Sequence, residues 1–505
     1  MEFEELTVLA LALTILFLIA NQLRNRNNKQ FKPPQPPSWP IIGHLHLFNK
    51  NRQLHRVLCS LSHHHGPIML LQLGCRPVLV ISSSQLAKEC LSVNDRVFAS
   101  RPSLLAAKHM GYDSKILAWL PYCNYWRDLR KICTLQLFTG HRIESLRHVR
   151  VDEVSNFIRS LFESSGQQVN MKSRLGELAF NIILFMVASK KITRFVKSEE
   201  FRKFRKIIDE AFLLAGTFNV GDYLPFLQWV DVHGLKAAMK ELQKKRDDFM
   251  QKLVKAHRQR QQDHGVQQPQ DLIDVLISAT DNHEILSDSS DTVVKATATA
   301  MLSAGTDTTA VTIEWAMAAL LKHPHILKKA QQELDTHIGR DRVVEESDLH
   351  KLKYLEAIVK ETLRLYPAAP VLIPHESTES CSVGGYEIPA GARLIVNVWA
   401  IHRDPAVWER PTEFDPERFL QKGREIDVKG HNFELIPFGS GRRMCPGISL
   451  ALCLVSYTLA RLLQSFEWSV PEGMTIDMSE GLGLTMPKAV PLQAIIKPRL
   501  PPHFY

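Results

Sequence analysis

Residues 6–20 read "LTVLALALTILFLIA", an unbroken apolar run whose only hydroxyls are Thr7 and Thr14. The run is short of the roughly 20 residues of a full membrane span, and it reaches that length through residue 23 with Asn21 and Gln22 at the interface. Its front is acidic (Glu2, Glu4, Glu5) and its back is basic (Arg24, Arg26, Lys29, Lys32). A cleaved secretory signal, the competing reading, carries a positive front instead. The flanks predict an uncleaved anchor over residues 1–24, with everything after it cytosolic by the positive-inside rule. A basic, proline-rich hinge over 25–43 follows, and "PPQPPSWP" at 33–40 predicts a stiff, extended strut, since proline fixes φ and removes backbone donors. The remaining residues, 44–505, form one body.

Within that body the pattern alternates between periods. "PIMLLQLGCRPVLVISS" alternates with period two around "GCRP" and predicts a β-hairpin. From 85 to 195 the pattern is mostly helical, and 198–259 is helical and highly charged. "QRQQDHGVQQPQ" at 259–270 predicts a solvated loop. Residues 291–321 predict a long apolar helix between the cap-rich "SDSSD" and "KHP". A helix over 354–365 is followed by short strands in "CSVGGYEIPAGARLIVNVWAI", an irregular run over 403–431, and a last helix after Gly447. No internal repeat and no compositional break divides the body. The fold class is mainly α with a small β part.

Charge changes this picture little. Lys+Arg number 62 and Asp+Glu 53, so the net charge is +9. That balance suits an ordinary basic surface, an acidic partner or an anionic membrane face. No long basic run with interleaved aromatics is present, so nucleic acid is not an expected partner. The eight cysteines show irregular spacing and no C-x-x-C pair, which argues against a disulfide framework or a structural zinc site. The run His63-His64-His65 lies between a helix and a hairpin beside "GP", and a metal site there is not expected.

One cysteine stands apart. "PFGSGRRMCPG" at 437–447 places Cys445 in a tight, basic, glycine-rich loop before the last helix. A thiolate is a strong soft ligand for iron. Such a loop can aim backbone N–H groups at the sulfur, and the following helix N-terminus adds positive potential. Gly439, Gly441 and Gly447 allow the turn, Pro446 starts the helix, Arg443 suits a cofactor carboxylate, and Phe438 would shield the sulfur. A dinucleotide fingerprint from Gly439 fails at Met444, and a nucleophilic cysteine lacks a local histidine signature.

The spacing Phe438, Gly441, Arg443, Cys445, Gly447 resembles the haem-thiolate signature of the cytochrome P450 family. The resemblance extends from the proline strut to the C-terminus. "KETLR" supplies Glu361 and Arg364, similar to the family's E-x-x-R pair, and Arg418 of "DPERF" matches the third member of its buried network. The spacing alone is weak, because Glu144/Arg147 and Glu199/Arg202 share it. "YWRDLR" supplies Trp126 and Arg130, similar to the W-x-x-x-R facing a haem propionate, and His375 of "LIPHES" matches another propionate contact. "SAGTDTTA" at 303–310 resembles the family's oxygen-activating segment. Asp and Thr prefer caps to helix interiors, so the cluster asks for a reason. The resemblance implies that Gly305 leaves room for O₂ and that Asp307 and Thr308 deliver protons.

The resemblance therefore implies the cytochrome P450 fold behind a single N-terminal transmembrane helix. It implies haem b held by Cys445, a monooxygenase using O₂, and electrons from NADPH through a separate flavin-containing cytochrome P450 reductase. The catalytic body would sit on the cytosolic side of the endoplasmic reticulum membrane, in contact with its lipid. "FASRP", "PPSWPIIGHLH" and "LIPFGSGRRMCPGISLAL" look most like the plant microsomal A-type group. The implied substrate is a small hydrophobic specialised metabolite (alkaloid, flavonoid or terpenoid), changed by hydroxylation, N-demethylation or oxidative cyclisation. Expected pocket segments are 104–107, 212–218, 300–305, 369–373 and 482–486, which are mostly apolar, with Asp307 the one clear carboxylate. A reductase-independent haem-thiolate isomerase or dehydratase, and a silent membrane scaffold, are the alternatives.

Overall fold

The computed structural model describes residues 32–505 except 49–52, 194–197, 230, 232–233, 265–270, 283–289, 422 and 424. The anchor over 1–24 and the first part of the hinge lie outside the described residues. Residues 33–38 of the strut, four of them prolines, form neither helix nor strand. The strut is docked on the body: Leu70 N–H donates to Pro34 O at 3.1 Å, and His44 Nε2 bonds Pro36 O at 2.8 Å.

The helices that frame the site are α1 (Leu54–His65), α2 (Leu105–Met110), α3 (Asn124–Cys133), α4 (Met171–Thr193), α5 (Ser198–Gly216), α6 (Leu235–His264), α7 (Ser290–Lys322), α8 (Lys353–Leu365) and α9 (Ile448–Ser465). The local signals are physical. Gly66 at φ 96° ends α1, and Pro324 opens the helix that follows α7. The charged segment predicted as continuous helix is two helices, because 217–234 carries Gly221, Pro225 and Gly234 at φ 68°. The predicted loop over 259–270 begins later: α6 continues to His264, with Arg258 paired to Asp281 and Asp291 and Arg260 to Asp274. The rest of that loop lies outside the described residues.

α7 is apolar on almost every side and runs through the core beside α4. Among the described residues α9 alone is long and apolar enough to span a membrane, and it is a buried core helix. A four-stranded sheet packs beside the helices in the order β1 (Ile68–Leu73), β2 (Arg76–Ile81), β7 (Arg393–Val396), β4 (His375–Glu376). β1 and β2 form the predicted hairpin, β2 and β7 run parallel with Val80 opposite Ile395, and β4 closes the edge with His375 opposite Leu394. Leu79, Ile81, Leu394 and Val396 face one apolar cluster, while Val78, Val80 and Ile395 face another. Burial on both faces is the usual state of a parallel pair. β5 (Cys381–Val383) pairs with β6 (Tyr386–Ile388). The predicted strand run ends early, because Val398–Ile401 turns into a short helix capped by the Asn397 side chain. A third sheet, β3 (Gln168–Asn170), β9 (Gln493–Pro498), β8 (Phe466–Ser469), has no counterpart in the sequence reading.

Candidate active site

Cys445 sits in the turn before α9. Gly439 (φ 72°) and Gly441 (φ 67°) take left-handed backbone there. A Cβ on Gly441 would lie 2.2 Å from Leu91 O, so no side chain fits. Cys445 N–H donates to Phe438 O at 3.0 Å and closes the turn. Burial pushes the thiol pKa up, while the Gly447 N–H aimed at the sulfur and the Arg130 guanidinium pull it down. Two expectations need correction. Pro446 does not start α9, because the first helical residue is Ile448 and Gly447 is its N-cap at φ −91°. Gly447 therefore needs no left-handed freedom; its missing side chain admits Phe138, whose Cε1 would lie 3.3 Å from a Cβ.

Three guanidinium groups gather beside this turn. Arg443 donates to Ala99 O and Leu120 O, each at 2.6 Å. Arg130, on α3, donates to Met444 O at 2.6 Å. Arg101 donates to Ala118 O (3.1 Å), Ile373 O (2.6 Å) and Pro374 O (2.9 Å). All these acceptors are backbone carbonyls, and among the described residues none of the three arginines pairs with a carboxylate. Trp126 lies between two of them, its ring centroid 4.1 Å from the Arg443 guanidinium and 5.3 Å from that of Arg130. Its indole N–H donates to Leu117 O at 3.1 Å, so Trp126 contributes by stacking on the cations. His375 on β4 is buried, with Nδ1 bonded to Phe98 O at 2.7 Å; burial and then Arg101 hold its pKa well below the usual range. Burial, then Arg443 and Arg130, likewise depress Arg101, and burial and then Arg130 bring Arg443 down to about 10.

A positive cluster withdrawn from water without an anion is costly. A group bearing two carboxylates beside a soft-metal centre fits both the cluster and Cys445, and haem is such a group. The sequence reading did not assign Arg101 a role. Its signal was an arginine inside the short "FASRP" stretch, and only the fold shows it converging with Arg130 and Arg443.

The other expected residues lie on α7. Amid a buried helix, Ala304 is exposed and Thr308 is half-buried, four residues apart on one face. Thr308 Oγ1 donates to Ala304 O at 2.7 Å, and Thr312 Oγ1 to Thr308 O at 2.8 Å, satisfying hydroxyls inside the helix. Gly305 does not leave the room that the sequence reading expected of it; it faces α4. A Cβ there would lie 2.8 Å from Ile183 Cδ1, so glycine at 305 lets two helices approach, and the exposed residue of this stretch is Ala304. Asp307 is half-buried, and its Oδ2 accepts from Thr485 Oγ1 at 2.7 Å; desolvation pushes its pKa up to about 6.

Behind the site, Glu361, Arg364 and Arg418 meet in the core. Arg364 donates to both Glu361 carboxylate oxygens (2.7 and 2.8 Å), and Arg418 Nε to one of them (3.1 Å). Arg364 also holds His402 O and Pro411 O at 2.7 Å, and Arg418 holds Glu409 O at 2.8 Å. By contrast, Glu144 and Arg147 form an exposed pair at 3.5 Å.

Backbone bonds join the expected pocket segments. Leu484 N–H donates to Phe212 O and Met486 N–H to Ala368 O, both at 2.9 Å, and α2 packs on α5 and α6 through Ala106, Met110, Ala211 and Met239. Asp307 is not the only carboxylate nearby. Asp222, with its pKa pushed up to about 6 by burial, accepts from Leu105 N–H at 2.7 Å and fixes the start of α2. His63-His64-His65 ends α1 and joins no metal-like grouping among the described residues. His257, Asp271 and Asp274 do cluster, yet His257 is bonded to Leu253 O and Asp271, and Asp274 to Arg260.

These features agree with three comparisons. The family model "Cytochrome P450" matches residues 33–493. A xanthotoxin 5-hydroxylase of Arabidopsis thaliana is 43% identical over 505 residues, with 96% of each chain covered. A flavonoid-6-hydroxylase of Mentha piperita is 44% identical over 517 residues, with 100% of each chain covered. A solved zebra fish cytochrome P450 structure with abiraterone matches at a TM-score of 0.74 and 27% identity, covering 89% of this chain and 100% of that one. The chain belongs to the cytochrome P450 family and is a haem-thiolate monooxygenase that takes its electrons from a redox partner.

Proposed function

We propose that the Cys445 thiolate would hold the haem iron, and that Arg101, Arg130, Arg443 and His375 would hold the haem carboxylates. The observation that carries this reading is the gathering of three carboxylate-free guanidinium groups beside the Cys445 turn. Haem, when bound, supplies the iron at which O₂ is reduced and a substrate C–H bond is oxidised. The chain's own residues do the rest. The Gly447 N–H and Arg130 favour the thiolate form of Cys445. Phe438 accepts the Cys445 N–H and keeps the turn closed. Asp307, half-buried and with its carboxyl pKa pushed up by desolvation, would hold a proton and pass it toward the Thr308 hydroxyl on the next residue of α7. The Glu361–Arg364–Arg418 network ties α8 to the irregular run before the Cys445 turn.

The substrate is a small hydrophobic plant specialised metabolite, and an oxygenated aromatic ring of the flavonoid kind is the class best supported by the relatives. Hydroxylation is the reaction we favour over N-demethylation or ring closure. Electrons come from NADPH through a flavin-containing reductase, whose acidic face would meet the basic surface of this chain. Residues 1–24 anchor the body to the cytosolic face of the endoplasmic reticulum membrane.

The direct test is the carbon monoxide difference spectrum of the reduced protein. The native chain gives the thiolate-type band and Cys445→Ala loses it; retention of that band in Cys445→Ala would overturn the ligand assignment. NADPH-dependent conversion of flavonoid and xanthotoxin panels by the protein reconstituted with reductase then tests the substrate class.

A further inference from the structure

The turn carrying Thr485 touches the end of α5, the long helix α7 and the loop after α8. Leu484 N–H donates to Phe212 O near the end of α5, Met486 N–H donates to Ala368 O, and Trp315 Nε1 on α7 donates to Met486 O at 2.8 Å. Gly216 ends α5 so close to this turn that a Cβ on it would lie 2.0 Å from the Gly483 carbonyl carbon. The turn therefore has little freedom of its own. Within it Thr485 is 5% exposed, and its hydroxyl makes the 2.7 Å bond to Asp307 Oδ2. No other hydrogen bond to the Asp307 carboxyl is present among the described residues. The charged groups that face it are Asp209 on α5, Lys172 on α4 and Glu314 on α7 itself, and none forms an ion pair with it.

We propose that Thr485 is a positioning residue for the Asp307 acid, holding its carboxyl in one orientation and tying that orientation to α5 through the Leu484–Phe212 bond. The inference rests on the proposed role of Asp307. A hydroxyl suits the task for a specific reason. It donates to the carboxylate and can rotate to accept from the protonated acid, so one contact serves both states of a carboxyl whose pKa desolvation raises. An O–H···O⁻ bond of this length is charge-assisted and stabilises the ionised form. Its loss leaves desolvation unopposed on that side and moves the acid's titration upward. The coupling to α5 follows from the turn: a displacement of Phe212 shifts Leu484, and Thr485 is the next residue.

The test uses the full holoenzyme with its reductase and compares Thr485→Val, Thr485→Ser and Asp307→Asn. Infrared titration of the resting protein follows the carboxyl band that Asp307→Asn lacks. We expect that band's midpoint to rise by about one pH unit or more in Thr485→Val, and to stay near the native value in Thr485→Ser. We also expect the product formed per NADPH to fall roughly three- to ten-fold in Thr485→Val, with KM unchanged, a slightly lower thermal midpoint at pH 7, and recovery of both in Thr485→Ser. An unmoved band together with native coupling in Thr485→Val overturns the proposal. If Asp307→Asn itself retains native coupling, the proton-delivery reading fails, and the infrared shift still decides whether Thr485 holds the carboxyl. Should Thr485→Val lose haem, Thr485→Cys, which keeps a similar size and removes the strong donor, serves in its place with the same outcomes.

Discussion

Gly305 shows how a single residue can be read correctly as unusual and wrongly as to cause. Glycine in a helix interior costs about 1 kcal/mol against alanine, so its presence in "SAGTDTTA" asks for a compensating gain. The compensation is contact with Ile183, at 2.8 and 2.9 Å from the virtual Cβ. Helix propensity favours alanine there by about 1 kcal/mol, and overpacking opposes it by roughly 1–3 kcal/mol. Gly305→Ala should therefore lower stability by about 1 kcal/mol, read as a shift in urea midpoint, without changing the spectrum of the reduced carbon monoxide complex. Ile183→Ala removes both clashing atoms, Cδ1 and Cγ1, so the double variant should be more stable than the sum of the single effects; strict additivity would refute the packing account. The Cys445 loop was legible because its chemistry lies within eleven residues. Arg101 and Thr485 were not, because each acts on a side chain reached only through the fold.

Helices α1, α7, α8 and α9 were legible as elements, since their apolar patterns are bounded by Gly or Pro at Gly66, Pro324, Pro367 and Gly447. The β3–β9–β8 sheet was not: β3 is three residues long and its partner lies more than 300 positions away, so neither strand carries a local pairing signal. The break between α5 and α6 was visible in Gly221, Pro225 and Gly234 but was outweighed by the charged helical pattern on either side. At this scale the Glu361 network deserves a test, because it binds α8 to backbone carbonyls of the irregular run. A surface i,i+3 pair is worth little, whereas Glu361 and Arg364 are fully buried. Removing the one carboxylate leaves two guanidinium groups without a counter-charge. Glu361→Gln should cost about 3–5 kcal/mol, seen as a lower unfolding midpoint and reduced haem retention. The matching change in the exposed pair, Glu144→Gln, should stay within about 0.5 kcal/mol. Equal effects of the two would remove the argument from burial.

Across the whole molecule, segments near the two ends of the described chain are locked together by a cluster that no local sequence pattern announces. Glu480 is a buried carboxylate 425 positions from its partner His55. It accepts from His55 Nε2 (2.8 Å) and Arg56 Nε (2.6 Å) on α1, and from Trp399 Nε1 (2.9 Å), while its backbone carbonyl accepts from Gln53 (2.9 Å). The same C-terminal segment continues into Thr485, so this lock and the Asp307 contact share one stretch of backbone. Burial alone would raise the Glu480 pKa, but the bonds from His55 and Arg56 prevail and lower it to about 2. A depressed carboxyl contributes stability that is present above the unfolded value of 4.5 and is lost as pH falls through about 2. Burial also lowers the His55 pKa from 6.5, so below pH 6.5 the unfolded chain binds a proton that the native state resists. Both groups therefore destabilise the fold on acidification, and their windows adjoin. Thermal unfolding of the native protein should lose stability steadily from about pH 6.5 downward. Glu480→Gln should start roughly 2 kcal/mol less stable at pH 7 and show a shallower slope below pH 4.5. A variant curve parallel to the native one across that range would show that acid sensitivity resides elsewhere.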